Sequence, residues 1–397
     1  MNRSPPSLPS ANLLAGQRRS VLILCQYVYG IGHFVRAVEL ARSFCRYFDV
    51  HLVSGGESIP NFSIPDRVRF TQLPAIYKEE ASAHLLPVDT TIGLGTCFDT
   101  RAKILADLVR NCPPDILVTE HFPFGLLFET ESLALIGQVR SARPSALVVS
   151  SVRDVIESER GSSSDAHVCE ILNQFFDLVM VHGDERFLGL RASFPLINRV
   201  AIPIVHTGYV VVPPAKIRPR FGPPLLVGAI GGGRIGQELL TALAAAHLET
   251  VKHWQHDLLL FRGAFDQLGA LPVVEATSLR VRAFDRTAYH ESLAEAAGVI
   301  CLGGYNSVLE ALSMSLPTLV YKRAFMGTNR EQALRSELFA ASGLVNTFDE
   351  SDLATNKLAP LLQAQFAYKS GPVTELNFHG ADNACQILLS ACESPLK

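Results

Sequence analysis

The sequence has no long apolar run and no excess of charge of one sign. No stretch of about 18 consecutive apolar residues occurs, so the sequence predicts no transmembrane helix. The formal net charge is −3, which does not fit the basic surface expected of a nucleic-acid-binding protein. Hydrophobic residues make up 48% and charged residues 18% of the 397 residues. Such a chain is expected to bury a large core and not to be disordered.

Cysteines are scattered, without the spacing of a metal site. The eight cysteines form no Cys-x-x-Cys pair and no matching histidine pattern, which argues against a zinc site and a disulfide framework. Residues 1–18 are rich in Ser, Pro and Asn, and we expect a flexible tail there and not a signal peptide. The expected localisation is cytoplasmic. A peripheral contact at the inner membrane face stays open, and the oligomeric state is not indicated.

Short apolar runs alternate with helical patterns in the first half of the chain. Residues 21–25 are typical of a buried strand, Gly30-Ile31-Gly32-His33 follows, residues 34–48 have helical spacing, and residues 49–54 fit a second strand. This order is a βαβ unit, which implies a parallel sheet. Residues 60–98 are less regular, and we expect loops there over one face of the sheet. Further strands are predicted at 115–119, 146–150 and 178–181.

A proline-rich stretch divides the chain in two. Six prolines fall within residues 203–224, which favours a linker. Strands are then predicted again at 225–230, 258–261, 279–284, 298–302 and 318–321. The predicted fold is α/β, with two doubly wound, Rossmann-like parallel-sheet domains facing across a cleft. The expected divisions are residues 19–207, a hinge at 208–224, residues 225–380, and a last helical segment at 381–397 that can pack back on either half.

Residues 301–332 carry the strongest functional signal. A strand ends at two glycines and a helix opens at once, so free backbone N–H groups and a positive dipole end meet at a point that suits a phosphate. Glu310 on that helix and the later pair Glu331-Gln332 offer hydrogen-bond partners for sugar hydroxyls, while Arg323 offers a phosphate contact. This combination favours a nucleotide-sugar over a bare nucleotide. The turn itself comprises Gly303, Gly304, Tyr305, Asn306 and Ser307.

A second glycine-rich turn lies in mid-chain. The six residues Gly231-Gly232-Gly233-Arg234-Ile235-Gly236 follow a predicted strand and match the G-x-G-x-x-G pattern of dinucleotide-binding proteins. The acidic residue expected at the end of the next strand has no clear counterpart, since Asp257 precedes that strand. The stretch fits equally a diphosphate clamp that uses Arg234, or a tight turn with a purely structural role.

Candidate groups for the second substrate lie at strand ends in the first half. His33 follows the first strand, where open α/β sheets hold ligands, and an imidazole can take a proton from a hydroxyl near neutral pH. Gly30 and Gly32 would let an acceptor approach the backbone. The pairs Glu120-His121 and Arg153-Asp154 also follow strands, and either pair can orient an acceptor or assist His33. The apolar cluster at residues 122–128 is either core or an acceptor surface.

Together these motifs resemble the GT-B glycosyltransferases, in particular the family 28-like group. That group includes the GlcNAc transferase that makes lipid II and a set of bacterial predicted glycosyl transferases. The resemblance runs over most of residues 19–392. The first loop, residues 29–33, departs from the lipid II enzyme because it lacks a longer run of glycines, so the acceptor stays open. The motifs that carry the resemblance are Gly30-Ile31-Gly32-His33, Thr207-Gly208-Tyr209-Val210, Gly231-Gly232-Gly233, and the C-terminal set from Gly303 to Gln332.

The resemblance implies a division of labour between the domains. The C-terminal domain would bind a nucleotide-sugar and the N-terminal domain an acceptor, which is a small molecule, a saccharide or a lipid-linked molecule. Glu310 would bind the ribose, the turn from Gly303 the diphosphate, the backbone near Phe284 the base, and Glu331-Gln332 the sugar. His33 would be the general base of an inverting displacement that needs neither a metal nor a cofactor. UDP is the nucleotide that the resemblance favours.

Three other classes of protein remain open from the sequence. A nucleotide-sugar 2-epimerase has the same two-domain architecture but needs further acid and base carboxylates in the cleft. A non-catalytic nucleotide-sugar-binding subunit would keep residues 301–332 and lack a working base. An NAD-linked oxidoreductase would use the mid-chain glycines to hold a dinucleotide.

Overall fold

The computed structural model describes most of the chain and leaves short gaps. The described residues are 18–28, 30–78, 84–156, 162–213, 216–232, 235–265, 277–323, 330–367, 371–372 and 375–393. Within them the chain forms two parallel sheets with helices on their faces. Every helix in these ranges is too short or too polar to cross a bilayer.

The first sheet belongs to the N-terminal half. Its strands follow the order β3-β2-β1-β6-β7-β8-β9 and pair in parallel, while β4 and β5 form a separate antiparallel hairpin. The elements are β1 (Ser20–Cys25), α1 (Gly32–Phe44), β2 (Asp49–Ser54), β3 (Val68–Gln72), β4 (Ile76–Lys78), β5 (Leu85–Pro87), α2 (Leu94–Asn111), β6 (Ile116–Glu120), α3 (Glu129–Ala142), β7 (Leu147–Arg153), α4 (Ser162–Phe175), β8 (Leu178–His182) and β9 (Ile204–His206).

The second sheet belongs to the C-terminal half. Its strands are parallel and follow the order β12-β11-β10-β13-β14-β15. The elements are β10 (Leu225–Ala229), α5 (Gln237–Thr250), β11 (Asp257–Phe261), β12 (Leu279–Arg282), α6 (Arg286–Leu293), β13 (Ala296–Leu302), α7 (Tyr305–Ser313), β14 (Thr318–Lys322), α8 (Arg330–Ala341), β15 (Asn346–Asp349), α9 (Thr355–Phe366) and, after the sheet, α10 (Gly380–Glu393).

The central strands of both sheets are apolar because helices cover both faces. Five of the six residues of β1 are buried, as are all five of β10. Strands buried on both faces are continuous apolar runs, not alternating patterns, which is what the sequence contains at these positions. The expected architecture of two doubly wound parallel-sheet domains is therefore confirmed.

The stretch 60–98 differs from the loops expected there. β3 pairs in parallel with β2 at the edge of the first sheet, the hairpin β4–β5 follows, and α2 already begins at Leu94. β3 lacks an apolar run because only Val68 of its five residues is buried, with Arg69 and Phe70 exposed. An edge strand that faces solvent on one side leaves a weak pattern in the sequence.

Each sheet has a point at which the strand order reverses. In the first sheet the reversal lies between β1 and β6, and in the second between β10 and β13. The carboxyl ends of parallel strands at such a point open a crevice in which α/β proteins hold ligands. The segments that follow these four strands are the loops before His33, at His121, at Gly231 and at Gly303.

The chain crosses between the two halves at two adjacent places. Residues 207–211 lead from β9 towards β10, and residues 376–380 lead back to α10. The two crossings are bonded to each other, since Tyr209 N donates to Asn377 O at 2.7 Å and Gly380 N donates to Tyr209 O at 3.0 Å. α10 then packs on α1, where Asp382 accepts a hydrogen bond from Ser43 at 2.7 Å. The last helix is thus part of the N-terminal half.

Candidate active site

A cavity of about 720 Å³ lies between the carboxyl edges of the two sheets. Both halves of the chain contribute to its walls. Most of the site residues expected from the sequence line it, namely Gly30, Gly32, His33, Glu120, His121, Arg153, Gly231, Gly232, Phe284, Gly304, Tyr305, Asn306, Ser307, Glu331 and Gln332.

The glycine turns of the two halves touch each other in this cavity. A Cβ added to Gly232 would lie 3.2 Å from the Gly30 Cα, so a side chain at this point would press on the opposite backbone. Asn306 Nδ2 donates a hydrogen bond of 3.3 Å to the carbonyl of Gly32. The absence of side chains therefore lets the two turns meet backbone to backbone. Gly233 and Arg234 lie outside the described residues.

His33 is held by a buried carboxylate from the neighbouring strand. Its Nδ1 lies 3.0 Å from Glu120 Oε1. Arg36 pairs with the same oxygen, and Ser151 Oγ donates to Oε2 at 2.7 Å. An ionised carboxylate only accepts hydrogen bonds, so Nδ1 of His33 carries the proton and Nε2 keeps a free lone pair. Arg36 Nη2 also lies 3.1 Å from Nδ1; we assign the proton to Nδ1 because Glu120 can only accept, whereas Arg36 already donates to Glu120 Oε1.

Burial and the neighbouring charges together set the ionisation states of His33 and Glu120. Burial, assisted by the Arg153 cation, lowers the pKa of His33 to about 4, although Glu120 acts in the opposite direction. The imidazole is therefore neutral near pH 7. Burial alone would raise the pKa of Glu120, but the Arg36 guanidinium and His33 outweigh it and hold that pKa well below the usual range. A neutral imidazole on an ionised carboxylate is the arrangement of a general base.

A chain of hydrogen bonds extends behind Glu120. Ser151 Oγ lies 2.9 Å from His182 Nε2, and His182 Nδ1 lies 2.8 Å from Thr207 Oγ1. Burial, with Arg36, lowers the pKa of His182 to about 3. The chain connects the carboxylate to the crossing between the halves and fixes its orientation.

A second histidine stands beside His33. The ring centroids of His33 and His121 are 4.9 Å apart, with the planes tilted by 48°. Burial, with His33 as a further cause, lowers the pKa of His121 well below its usual value. The cavity edge thus carries two neutral imidazoles.

A buried cluster of charges joins the two halves below the cavity. Arg335 of α8 binds both oxygens of Asp154, at 2.7 and 3.0 Å, and also Glu331 Oε1 at 2.7 Å. Arg153 pairs with Glu331 at 2.5 Å. The side chains of Arg335 and Asp154 are only 1% and 0% exposed. Burial raises the pKa of Glu331, but the two arginines outweigh it and lower the pKa overall.

This cluster changes the roles expected for two acidic residues. Asp154 was expected on the acceptor side, but it does not line the cavity because Arg335 takes both its oxygens. Glu331 lines the cavity, yet its oxygens are bound by Arg153 and Arg335. Both carboxylates are held between the halves, and the neighbouring Gln332 is the uncharged member of the pair at the cavity wall.

Glu310 lies behind an arginine. Its Oε2 accepts from Arg286 Nη1 at 2.8 Å, its other oxygen pairs with Nη2, and its side chain is 1% exposed. Arg286 lines the cavity and Glu310 does not. Arg286 is fixed at the start of α6, which Asp285 caps by accepting from Ala288 N at 2.9 Å. In this structure, the group presented to a ligand is therefore Arg286.

Two further expected contacts lie off the cavity. Arg323 donates to Glu238 Oε1 at 2.8 Å and does not line the cavity. Gly303 lies behind Gly304, and a Cβ there would be 2.4 Å from Ser336 Oγ. Its lack of a side chain serves the packing of α8 on the turn. The structure therefore places neither Arg323 nor Gly303 at the cavity wall, where a donor would be contacted.

Tyr305 is committed to joining the halves. Its hydroxyl accepts from Val210 N at 3.0 Å and donates to His182 O at 2.9 Å. The guanidinium groups of Arg36 and Arg335 lie 5.2 and 5.4 Å from its ring centroid, in the range of cation–π contacts. Tyr305 lines the cavity, but its hydroxyl is already occupied.

Several site residues escaped the sequence reasoning. Arg36 lies three residues after His33 on α1, and Arg335 lies four after Glu331 on α8, spacings that place each pair on one helix face. Such spacing is a sequence signal from which Arg36 and Arg335 could have been identified. Arg286, Ser151 and His182 carry no such local signal. Among the described residues, no group of three or more His, Cys, Asp or Glu side chains is arranged to hold a metal ion.

Comparison with known proteins gives matches in structure and none in sequence. No protein-family model and no curated protein matches the chain. CalG4, the calicheamicin glycosyltransferase, is 15% identical with a TM-score of 0.54, covering 94% of this chain and 95% of that chain. MurG of Acinetobacter baumannii is 13% identical with a TM-score of 0.52, covering 93% and 95%.

A third similar structure is a UDP-glucosyltransferase from Polygonum tinctorium that glucosylates indoxyl. It is 14% identical with a TM-score of 0.59, covering 96% of each chain. These neighbours have the GT-B fold. The similarity covers both halves and confirms the GT-B fold for this chain.

Proposed function

We propose that the protein is a glycosyltransferase that moves a hexosyl or N-acetylhexosaminyl group from a nucleotide-sugar, with UDP as the favoured nucleotide, to an acceptor hydroxyl. The observation that carries the proposal is the hydrogen bond of 3.0 Å between His33 Nδ1 and Glu120 Oε1 at the cavity edge. It leaves the Nε2 lone pair of a neutral imidazole free. The glycosyltransferase folds of the neighbouring structures support the same class of reaction.

The transfer step uses His33 as the general base. The acceptor hydroxyl gives its proton to Nε2 while its oxygen bonds to the anomeric carbon. The bond between that carbon and the β-phosphate oxygen breaks, and the nucleoside diphosphate leaves from the opposite face, so the configuration inverts. The imidazolium that forms is stabilised by Glu120, which stays ionised because Arg36 holds its pKa low. A base positioned in this way typically contributes 10²–10⁴-fold, as an order of magnitude.

The amino end of α7 suits the leaving diphosphate. The first N–H groups of a helix have no partner within it, and the helix dipole places a partial positive charge there. Gly304, Asn306 and Ser307 line the cavity at this end. Gly231 and Gly232 face them from the second turn. Backbone donors aimed at developing charge stabilise a transition state because they need not reorganise.

Arg286 and Phe284 supply the nucleoside end of the donor site. Arg286 is 16% exposed and lines the cavity with Glu310 behind it. A guanidinium held on a carboxylate donates hydrogen bonds to ribose hydroxyls without leaving an unpaired charge. Phe284 precedes the helix that Asp285 caps, so its backbone is fixed next to Arg286. We therefore assign ribose contact to the Arg286–Glu310 pair and not to Glu310 alone.

The test of the proposal is transfer by the whole chain with a panel of UDP-, dTDP- and GDP-sugars and hydroxyl acceptors. We expect His33→Ala to lower turnover about a hundredfold or more, with donor binding by thermal shift unchanged. Turnover should persist in EDTA, because the groups proposed to stabilise charge belong to the protein. Equal turnover of His33→Ala and the unaltered protein would reject His33 as the base, and the absence of any donor shift would reject the transferase.

The oxidoreductase alternative fits the site less well. An NAD site of that kind has an acidic residue at the end of the strand that follows the glycine turn. That strand, β11, ends at Phe261 and is followed by Arg262. Stabilisation by NAD(P) alone in the same thermal-shift panel would favour the oxidoreductase. A 2-epimerase would need further acid and base carboxylates in the cleft, whereas Glu120 and Glu331 at the cavity wall are each paired with arginine.

A further inference from the structure

His121 has no role in the transfer step, but specific contacts hold both its backbone and its ring. It follows β6 directly and has a φ of 71°, a left-handed backbone conformation that is uncommon outside glycine. Its N–H donates to Ser151 O at 2.7 Å, and its carbonyl accepts from Gly125 N at 3.1 Å. Strain of this kind persists only where the surroundings impose it and is concentrated at functional sites.

The loop after His121 is shaped around the imidazole. A Cβ added to Gly125 would lie 2.5 Å from His121 Cδ2, so any other residue at position 125 would displace the ring. The ring also packs against His33. Within the described part of the chain, the buried Nδ1 of His121 has no hydrogen-bond partner. The chain thus fixes the ring of His121 at the cavity wall with Nδ1 buried, so Nε2 is the ring nitrogen left for a ligand in the cavity.

The cavity around the two histidines is apolar on the N-terminal side. The loop after His121, the segment after β1 and α4 all contribute hydrophobic side chains. An acceptor with a flat apolar body would bury its surface there and direct its oxygens to the imidazoles. The residues that form this wall are Val28, Phe124, Leu126, Leu127, Phe128 and Val168.

We infer that His33 and His121 together bind two neighbouring oxygens of the acceptor, so that the preferred acceptor is an apolar ring compound with a vicinal diol of the catechol type. This inference rests on the proposed function, since His33 takes the proton of one hydroxyl. His121 then binds the adjacent oxygen. A neutral imidazole offers one donor and one acceptor, and each hydroxyl of a diol can satisfy either.

Two neutral rings fit a neutral diol better than a charged acceptor. A carboxylate or phosphate beside His33 would favour imidazolium and would face the carboxylate of Glu120. A single hydroxyl would leave one imidazole without a partner beside the apolar wall, which is unfavourable for a polar group shielded by the bound acceptor. The ring centroids lie only 4.9 Å apart, so one small ligand spans both rings.

The test compares two probes that differ by one hydroxyl, 4-methylcatechol (kept reduced with ascorbate) and 4-methylphenol. Their affinities for the full chain are measured by calorimetry without a donor. We expect the diol to bind about tenfold more tightly, the gain of one hydrogen bond. His121→Phe, which keeps a ring against His33, should reduce the ratio to near one. His121→Asn should do the same, and it folds more readily because asparagine tolerates the left-handed backbone.

The matched control is Ser132→Ala, which removes a different polar group, a hydroxyl, from the cavity wall. This variant should keep the preference for the diol. Equal affinity of the unaltered protein for both probes would overturn the inference. An affinity ratio between the two probes that is unchanged in both His121 variants would also overturn the inference. The His121 ring would then serve only to pack against His33. Transfer is then assayed with UDP-glucose and the other nucleotide-sugars. A diol preference without any transfer would reject the proposed function and keep the binding inference.

Discussion

His33 Nδ1 and Glu120 Oε1 lie 3.0 Å apart although 87 residues separate them in the sequence. The contact forms because β1 and β6 are neighbours at the strand-order reversal, so the residues after their carboxyl ends meet. Glu120→Gln removes the charge that stabilises the imidazolium and weakens control of the tautomer. We expect kcat to fall about tenfold to a hundredfold, measured with saturating donor.

Ser151→Ala is the matched control for that change, because it removes one hydrogen bond from Glu120 and leaves the charge in place. It should lower kcat much less. Glu120→Gln also leaves Arg36 without its anion, so its melting temperature must be measured alongside. An unaltered kcat in a folded Glu120→Gln protein would contradict the proposed pair.

The pH dependence of kcat/KM should reflect the buried state of His33. Burial lowers its pKa to about 4, and the Arg153 cation contributes to the shift. The base is therefore unprotonated throughout the range from pH 5 to pH 8, and kcat/KM should be level there where His33 alone controls it. Arg153→Gln removes a cation, so the pKa of His33 should rise and the acidic limb should move towards pH 6.5. An acidic limb of the kcat/KM profile that does not move in Arg153→Gln would contradict this role of Arg153.

Donor binding should distinguish two arginines of the C-terminal half. Arg286 lines the cavity, whereas Arg323 is paired with Glu238 outside it. We expect Arg286→Met to weaken UDP-sugar binding about tenfold or more, from the loss of charge-assisted hydrogen bonds. Arg323→Met should leave the affinity within about twofold by calorimetry. The reverse order of effects would restore Arg323 as the phosphate contact that the sequence suggested.

The charge cluster between the halves should dominate stability. Arg335→Met leaves Asp154 and Glu331 buried with fewer partners, and removal of one member of such a cluster typically costs about 3–5 kcal/mol. Urea unfolding measures this cost. Arg140→Met, which breaks a surface pair with Asp177 that is 34% exposed on both sides, should cost about 1 kcal/mol or less. Equal costs would contradict a special role for the buried cluster.

Stability should fall as the solution becomes acidic, in part because of two histidines in the C-terminal half. His247 Nδ1 lies 2.9 Å from His256 Nε2. Burial lowers the pKa of His247 to about 4, with His256 as a further cause, and also lowers the pKa of His256. Both stay neutral in the folded state while the unfolded chain binds protons below about pH 6.5. The contribution of His247 is therefore complete above about pH 6.5 and is lost as the pH falls towards 4, and that of His256 is lost in the same direction.

The slope of that loss is measurable. Each such histidine lowers the free energy of unfolding by up to about 1.4 kcal/mol per pH unit within this window. Urea unfolding at pH 7.5, 6.5 and 5.5 gives the slope for the whole chain. His247→Gln removes one titrating group and should flatten it, while the exposed control His253→Gln should not. An equally steep slope in His247→Gln would exclude His247 as a source.

The sequence allowed the edges of the site to be predicted but not the pairing of its charges. Glycines and polar residues at the ends of apolar runs indicate which loops lie at the carboxyl edges, and Gly30, Gly232 and Gly304 all line the cavity there. The partner of each carboxylate depends on contacts between distant segments, as in the bond between Asp154 and Arg335 across 181 residues. No local pattern encodes such a contact. The resemblance implied ribose contact for Glu310, and nothing in the sequence indicated that Arg286 binds both its oxygens.

The two bonded crossings between the halves limit how the protein can open. Residues 207–211 and 376–380 run side by side, tied through Tyr209, so neither half can slide or twist freely against the other. We expect any opening to be a rotation about the line of these paired segments, and such a rotation would also have to separate Arg335 from Asp154. The backbone contact between Gly232 and Gly30 then sets the closed limit of this rotation. The angle of rotation sets the width of the opening at the acceptor side.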